Sequence, residues 1–506
     1  MLLIKELVKV ITRVKLRAIR KIGFPFETDN RLSEMYEMVA NDTAEEKIAN
    51  DLIGTSHRSG AFRRLKVDLT GRLIASLFLV DLSLPSYNDR QVAYYEVHKN
   101  WAAAKILLGK GARLAAIHLA EQTFRQARKF EFNDIALDIA KALRLQFATV
   151  LGDAAKYHYY NAATEELEQC VYAESLAEGL YAKFILVYVR KHTASQEVVE
   201  VAKESCERLQ PYLENVVSSY TLHLYYHLMQ MNRYTAVPDY EAAIYVCDKM
   251  IDFFEHKPYT ANIPLQLAYY QKLVCYFQLR KFELTVDFVE RGLSIIEEGT
   301  YNWFKFQETY LLLSLHTAQY EMAYRIFMRV EQHPRFAYQP ADVQEYWRIL
   351  EAYLHYLAVL ELLPPTADET FSRFRIGRFL NQTPLFSRDK RGVNVTILII
   401  QILFYIARKD FFEAYTKIGT IEQYCRRHLF GKDTLRAYYF IKALLELPKN
   451  AFHREAVKRK ATRYLDKMAD YPLEEAGMSS FLIEVIPFEA LWQQILGSLE
   501  HKFYKK

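Results

Sequence analysis

The chain has 506 residues, 51% of them hydrophobic and 25% charged, with 66 Lys and Arg against 61 Asp and Glu and a formal net charge of +5. That apolar share allows a large buried core, and the mild positive balance permits an acidic partner without demanding one. Gly (16) and Pro (14) occur at about half their usual combined share, which argues against many short strands joined by tight turns and for long helices.

From the N-terminus, residues 1–90 read as a basic helical region. Its first helix carries Lys5, Lys9, Arg13, Lys15, Arg17, Arg20 and Lys21 against Glu6, with Leu3, Leu7, Val10, Val14 and Ile22 recurring every three or four residues. An end helix docked by its apolar side fits this pattern, and so does contact with an anionic membrane or phosphates. Charges run through the whole segment, so it does not read as a secretory signal. Further on, Thr43 is placed to cap a helix with Glu46 in the capping-box position, and Gly54 to end it. A polar turn, Ser56–Gly60, leads to a second helix bearing Arg63, Arg64 and Lys66. The plainer expectation is a helical cap on the rest of the chain. The arrangement also resembles a helix-turn-helix, which implies DNA contact through Arg58, Arg63, Arg64 and Lys66.

Residues 91–363 show long helical patterns with a repeat that recurs once more after residue 393. Four segments share an aromatic residue followed by Glu: Tyr240, Phe282, Tyr320 and Phe412. An apolar residue falls six positions later in each (Val246, Phe288, Ile326, Ile418), and position +2 is Ala242, Leu284, Met322 or Ala414. Positions +2 and +6 are predicted to share the packing face. Small residues stand at Ala243, Thr285 and Ala323, with Tyr415 replacing the fourth, and Ala116 marks a weaker copy. The pattern resembles the second helix of a tetratricopeptide repeat, and the whole chain is similar to tetratricopeptide-like proteins of bacteria. The resemblance implies an all-α, right-handed superhelix of antiparallel helix pairs with an N-terminal helical cap. Leu273, Leu311 and Leu403 stand where such repeats carry a small residue in the first helix, so irregular hairpins are expected.

Residues 364–392 form an Arg-rich linker in which Arg373, Arg375, Arg378, Arg388, Lys390 and Arg391 alternate with Phe374 and Phe379. It reads as a solvated connection, or as a basic–aromatic surface for single-stranded nucleic acid. Residues 393–506 resume the helical pattern and cap it. Val393–Ala407 is the most apolar run, too short to span a bilayer and expected to be a buried helix.

No phosphate loop, metal-ligand set or nucleophile context stands out. His223 and His227 lie one helical turn apart, but Leu224 stands where a metalloprotease needs Glu, so a place in an aromatic seam is expected. Glu165, Glu166 and Glu168 read as a solvated face, and the five scattered cysteines as reduced, buried thiols of a cytoplasmic protein. The expectation is therefore a non-enzymatic, protein- or peptide-binding scaffold without catalytic residues, cofactor or metal, and nucleic acid is the alternative partner. Its partner surface is expected in a concave groove between Leu222 and Tyr310, at Tyr225, Tyr269, Tyr270, Trp303, Lys305 and Tyr310. Tyr and Trp offer large contact area at low entropic cost.

Overall fold

A computed structural model describes Ile4 and residues 30–78, 89–191, 196–215, 219–364, 393–428, 434–472 and 484–504. The basic N-terminal helix and the Arg-rich linker lie outside them. Among the described residues the regular structure is helical and contains no strand. No helix among them is long and apolar enough to cross a membrane.

The chain divides into two compact units, residues 1–171 with 258–260, and residues 172–257 with 261–506. The first contains α1 (Asn30–Ala40), α2 (Glu45–Ile53), α3 (Gly60–Leu77), α4 (Asp89–Gly109), α5 (Arg113–Lys129) and α6 (Asn133–Gln146). Helix α7 (Ala154–Lys191) runs through the division. The second unit continues with α8 (Gln196–Asn215), α9 (Tyr220–Ala236), α10 (Tyr240–Glu255), α11 (Asn262–Leu279), α12 (Val286–Ile295), α13 (Tyr301–His316), α14 (Tyr320–Glu331) and α15 (Ala341–Val359). It ends with α16 (Val393–Ala407), α17 (Phe411–His428), α18 (Leu435–Leu444), α19 (Glu446–Lys449), α20 (Arg454–Ala469) and α21 (Phe488–Ser498).

Most helices pack on their neighbour in sequence as antiparallel pairs: α4 on α5, α5 on α6, α8 on α9, α9 on α10, α10 on α11, α13 on α14 and α16 on α17. One kind of turn recurs between them. The residue two before the next helix takes a left-handed conformation: Gly111 (φ 81°), Glu131 (56°), Ala318 (57°) and Lys409 (61°), with Arg280 (51°) in the same place before the 3-10 turn Phe282–Thr285. The following N–H then donates to the carbonyl five residues back: Ala112 to Leu107, Phe132 to Ala127, Lys281 to Tyr276, Gln319 to Ser314 and Asp410 to Tyr405, at 2.8–3.1 Å. Such a cap satisfies carbonyls that the helix end leaves open. Outside glycine, the left-handed conformation costs about 1–2 kcal/mol, a cost these turns bear at Glu131, Arg280, Ala318 and Lys409.

This turn sets the packing register. Counting the first helical residue as zero, positions +3 and +7 are Ala116 and Ala120 in α5, Ala136 and Ala140 in α6, Ala243 and Cys247 in α10, Ala323 and Phe327 in α14, and Ala414 and Ile418 in α17. All are buried, and each alanine at +3 has no exposed surface. Four residues apart, they share a face, and the small side chain lets the helix approach the one before it closely. Two expectations are corrected by this. Three of the residues expected at +2 are off the packing face, Leu284 55% exposed and Ala242 and Met322 half-buried, because the face centres on +3 and +7; the fourth, Ala414, is buried because it stands at +3. The aromatic that opens the fourth repeat is the buried Phe411, next to the turn, whereas Phe412 is 76% exposed. With that register Ala414, not Tyr415, occupies the small position, and the fourth copy is regular.

In α16, residues 394–406 are all buried, as its apolar run predicts. Helices α1–α3 enclose a small core of Leu32, Met35, Tyr36, Val39, Ile48, Phe62, Leu69 and Leu73, joined by Ile4.

Candidate functional site

The side chains expected to meet a partner between Leu222 and Tyr310 are divided by the fold. Tyr269 and Trp303 are each 1% exposed, and Tyr310 is buried too. The Tyr269 hydroxyl donates to Glu255 Oε1 at 2.6 Å. Tyr310 stacks on Phe282 with ring planes 1° apart. Trp303 meets Phe304 edge-on and lies under the Arg329 guanidinium. A partner cannot reach these rings without unpacking the helices. The cause is that α13 is enclosed: from Trp303 to His316 every residue but Lys305 is buried, and α11 and α14 both pack on it. Tyr225, Tyr270 and Lys305 remain partly exposed. Tyr225 stacks on Tyr181 at 4.8 Å, and Lys305 Nζ donates to Glu308 at 2.9 Å. Burial opposes the charge on Lys305, but the Glu308 carboxylate outweighs it and pushes its pKa up.

The histidine pair takes its place in an aromatic seam. His223 stacks on Phe253 at 3.7 Å, with His227 5.9 Å away. Among the described residues no three His, Cys, Asp or Glu side chains gather as a metal site. Burial lowers His223 to about 3, helped by His227 and Lys257, and lowers His227 to about 4. Both rings are neutral at pH 7. In the unfolded chain they take protons near pH 6.5, so the unfolded state binds more protons below that value and stability falls as pH drops from 6.5 toward 4, by up to about 1.4 kcal/mol per pH unit for each ring. The melting temperature of unit 2 is expected to fall between pH 7 and pH 5, and His223→Phe should lessen the fall. An equal fall in the variant would remove His223 from the account.

The acidic run of α7 is tied into surface pairs, Glu166 with Arg128 at 2.8 Å and Glu168 with Lys141 at 2.9 Å. All five cysteines are buried, and none of them is in a disulfide. Burial pushes the Cys206 and Cys275 thiols up to about 12, so they stay protonated and unreactive.

The α1–α3 region differs in one detail from its expectation. Thr43 does not cap α2, whose N-cap residue is Ala44 with no side-chain cap; the Thr43 N–H instead donates to Met38 O at the end of α1. Gly54 closes α2 with φ 62°, and the Ser59 hydroxyl caps α3 by accepting from Phe62 N. Arg58, Arg63 and Arg64 are exposed and form no ion pair with the described residues. Lys66 is half-buried and held by Glu45 at 2.5 Å, so it is not free to meet a phosphate. The inward side of α3 buries Phe62, Leu69 and Leu73, which directs Arg63, Arg64 and the 72% exposed Val67 outward.

One concavity was not anticipated. A groove of about 380 Å³ between α4 and α5 is lined by Asn100, Gln122, Thr123, Arg125, Gln126 and Lys129. The only hint in the sequence is that α5 contains a single acid, Glu121, among four cations. Comparisons with known protein families, with curated proteins and with solved structures find no match to this chain.

Proposed function

We infer that the chain is a non-enzymatic scaffold that binds a protein or peptide, built as a right-handed superhelix of tetratricopeptide-like helix pairs. The observation that carries this reading is the repeated register: one turn, one small buried position at +3 and one packing face at +7, in both units. A helix pair of this kind cannot bury its apolar face alone, so pairs stack, and stacked pairs offer side chains from successive repeats to one partner. Tyr225, Tyr270 and Lys305 are the members of the expected surface that keep exposed area. Five buried thiols outside any disulfide suit a reducing compartment such as the cytoplasm. The test is affinity capture with the full chain, with and without nuclease, followed by reconstitution from purified components. A protein that binds in both conditions supports the scaffold, and binding that vanishes with nuclease ends it.

A second reading, a DNA-binding regulator, is favoured by Arg58, Arg63 and Arg64 around the start of α3, which are exposed and form no ion pair with the described residues. Arginines there suit a major groove and its phosphates. Salt-dependent binding of duplex DNA, weakened at least tenfold in the Arg63→Ala/Arg64→Ala variant, is the expected result under this reading. Duplex binding that is absent, or that is unchanged in the variant, removes it.

A further inference from the structure

The groove between α4 and α5 holds two cations, three primary amides and no acid. Arg125 and Lys129 are exposed and lie four residues apart on one helix, where like charges repel and weaken the helix slightly. Among the described residues no carboxylate forms an ion pair with either. Glu121, the one carboxylate of α5, is taken by Lys156 at 2.7 Å and accepts from the Tyr160 hydroxyl. The neighbouring Arg128 is occupied by Glu166, while Arg125 and Lys129 form no ion pair with the described residues. Lys129 Nζ rests 5.1 Å from the centre of the buried Phe130 ring, which restrains it at the mouth of the groove. Thr123 in the wall is buried, and its hydroxyl donates to Leu119 O at 2.7 Å.

We propose that this groove binds an extended acidic peptide segment, with a Glu or Asp carboxylate between Arg125 and Lys129 and the peptide backbone along Asn100, Gln122 and Gln126. The proposal rests on the protein-binding reading and gives the partner its chemistry. A guanidinium and an ammonium match a carboxylate. A primary amide both donates and accepts, as a peptide group does, and three of them suit a main chain. From Gln122 to Lys129 the helix rises about 10 Å, the length of about three extended residues. Nucleic acid fits less well, because no aromatic ring lines the groove to stack a base.

The test uses the full chain and a fluorescein-labelled twelve-residue peptide of alternating Glu and Ser, with a twin in which Gln replaces Glu. Anisotropy is expected to show saturable binding of the Glu peptide, at least tenfold weaker for the Gln twin. Arg125→Gln/Lys129→Gln should weaken the Glu peptide at least tenfold with an unchanged melting temperature, because both side chains lie on the exposed face. Lys110→Gln/Arg113→Gln removes two exposed charges at the α4–α5 turn and should leave binding as it was. The proposal falls if the Glu peptide does not bind, if both double variants weaken it equally, or if a single-stranded oligonucleotide binds more tightly with the same dependence on Arg125 and Lys129. A protein partner that binds wild type and the Arg125→Gln/Lys129→Gln variant alike also overturns the groove, while leaving the scaffold reading intact.

Discussion

Replacing Ala323 by arginine is expected to unfold the α13–α15 region. Ala323 is the +3 residue of α14, without exposed surface, on the face that continues through Ile326, Phe327 and Val330. Helix α14 packs on both α13 and α15, so the new side chain has no short route to water. A guanidinium placed there without a partner costs about 3–5 kcal/mol, by the measure of a broken buried ion pair, and its volume adds overpacking of about 1–3 kcal/mol. Ala323→Gly provides the scale: it removes one methyl and adds helix-interior flexibility, for about 1 kcal/mol. Thermal melting and limited proteolysis should rank wild type, Ala323→Gly and Ala323→Arg in that order. Early cleavage of the arginine variant should fall within α13–α15. A melting curve for Ala323→Arg matching wild type would show that +3 is not a packing position.

That position was legible in the sequence because an alanine recurs at a fixed distance from an aromatic. The register of the fourth copy was not, and the reason is physical. Phe411 and Phe412 are adjacent, and a pattern of aromatic followed by Glu selects Phe412. What fixes the register is the left-handed turn residue, Lys409, and lysine announces no such conformation. The aromatic-rich first helices misled in another way. A helix with one neighbour buries one stripe, and rings off that stripe face water. Helix α13 is buried almost all round, so Trp303 and Tyr310 are core, and the polar side chains Gln307, Glu308 and Thr309 are buried with them. The α4–α5 groove was invisible for the opposite reason. Arg125 and Lys129 look like any solvated face until antiparallel pairing brings Asn100 beside them. Local periodicity reports which side of a helix is apolar. It does not report how many neighbours the helix has.

A buried charge cluster, equally silent in the sequence, underlies the second large effect. Arg436 of α18 and Glu484 are 4% and 1% exposed and 48 residues apart. Arg436 Nη2 donates to Glu484 Oε1 at 2.8 Å and Nε to Oε2 at 3.0 Å, a two-point pairing. Its remaining donors reach Glu489 of α21 at 2.8 Å and the Tyr471 carbonyl at 3.1 Å. Glu484 also accepts from Phe488 N at the start of α21, and its carbonyl lies 2.7 Å from His316 Nε2 on α13. One guanidinium thus ties α18 and α21 to the segment that touches α13. Arg436→Ala should destabilise this region by about 3–5 kcal/mol, because the Glu484 carboxylate stays buried without its cation. Arg436→Lys keeps the charge but loses the planar fork, so it should fall between wild type and alanine. Adding Glu484→Gln to Arg436→Ala removes the stranded charge and should recover part of the loss, a coupling that a double-mutant cycle measures by melting. If the two changes instead add independently, the pair is a bystander, and α21 is held by Phe440 stacked on Phe488 at 4.2 Å and the apolar contacts around it.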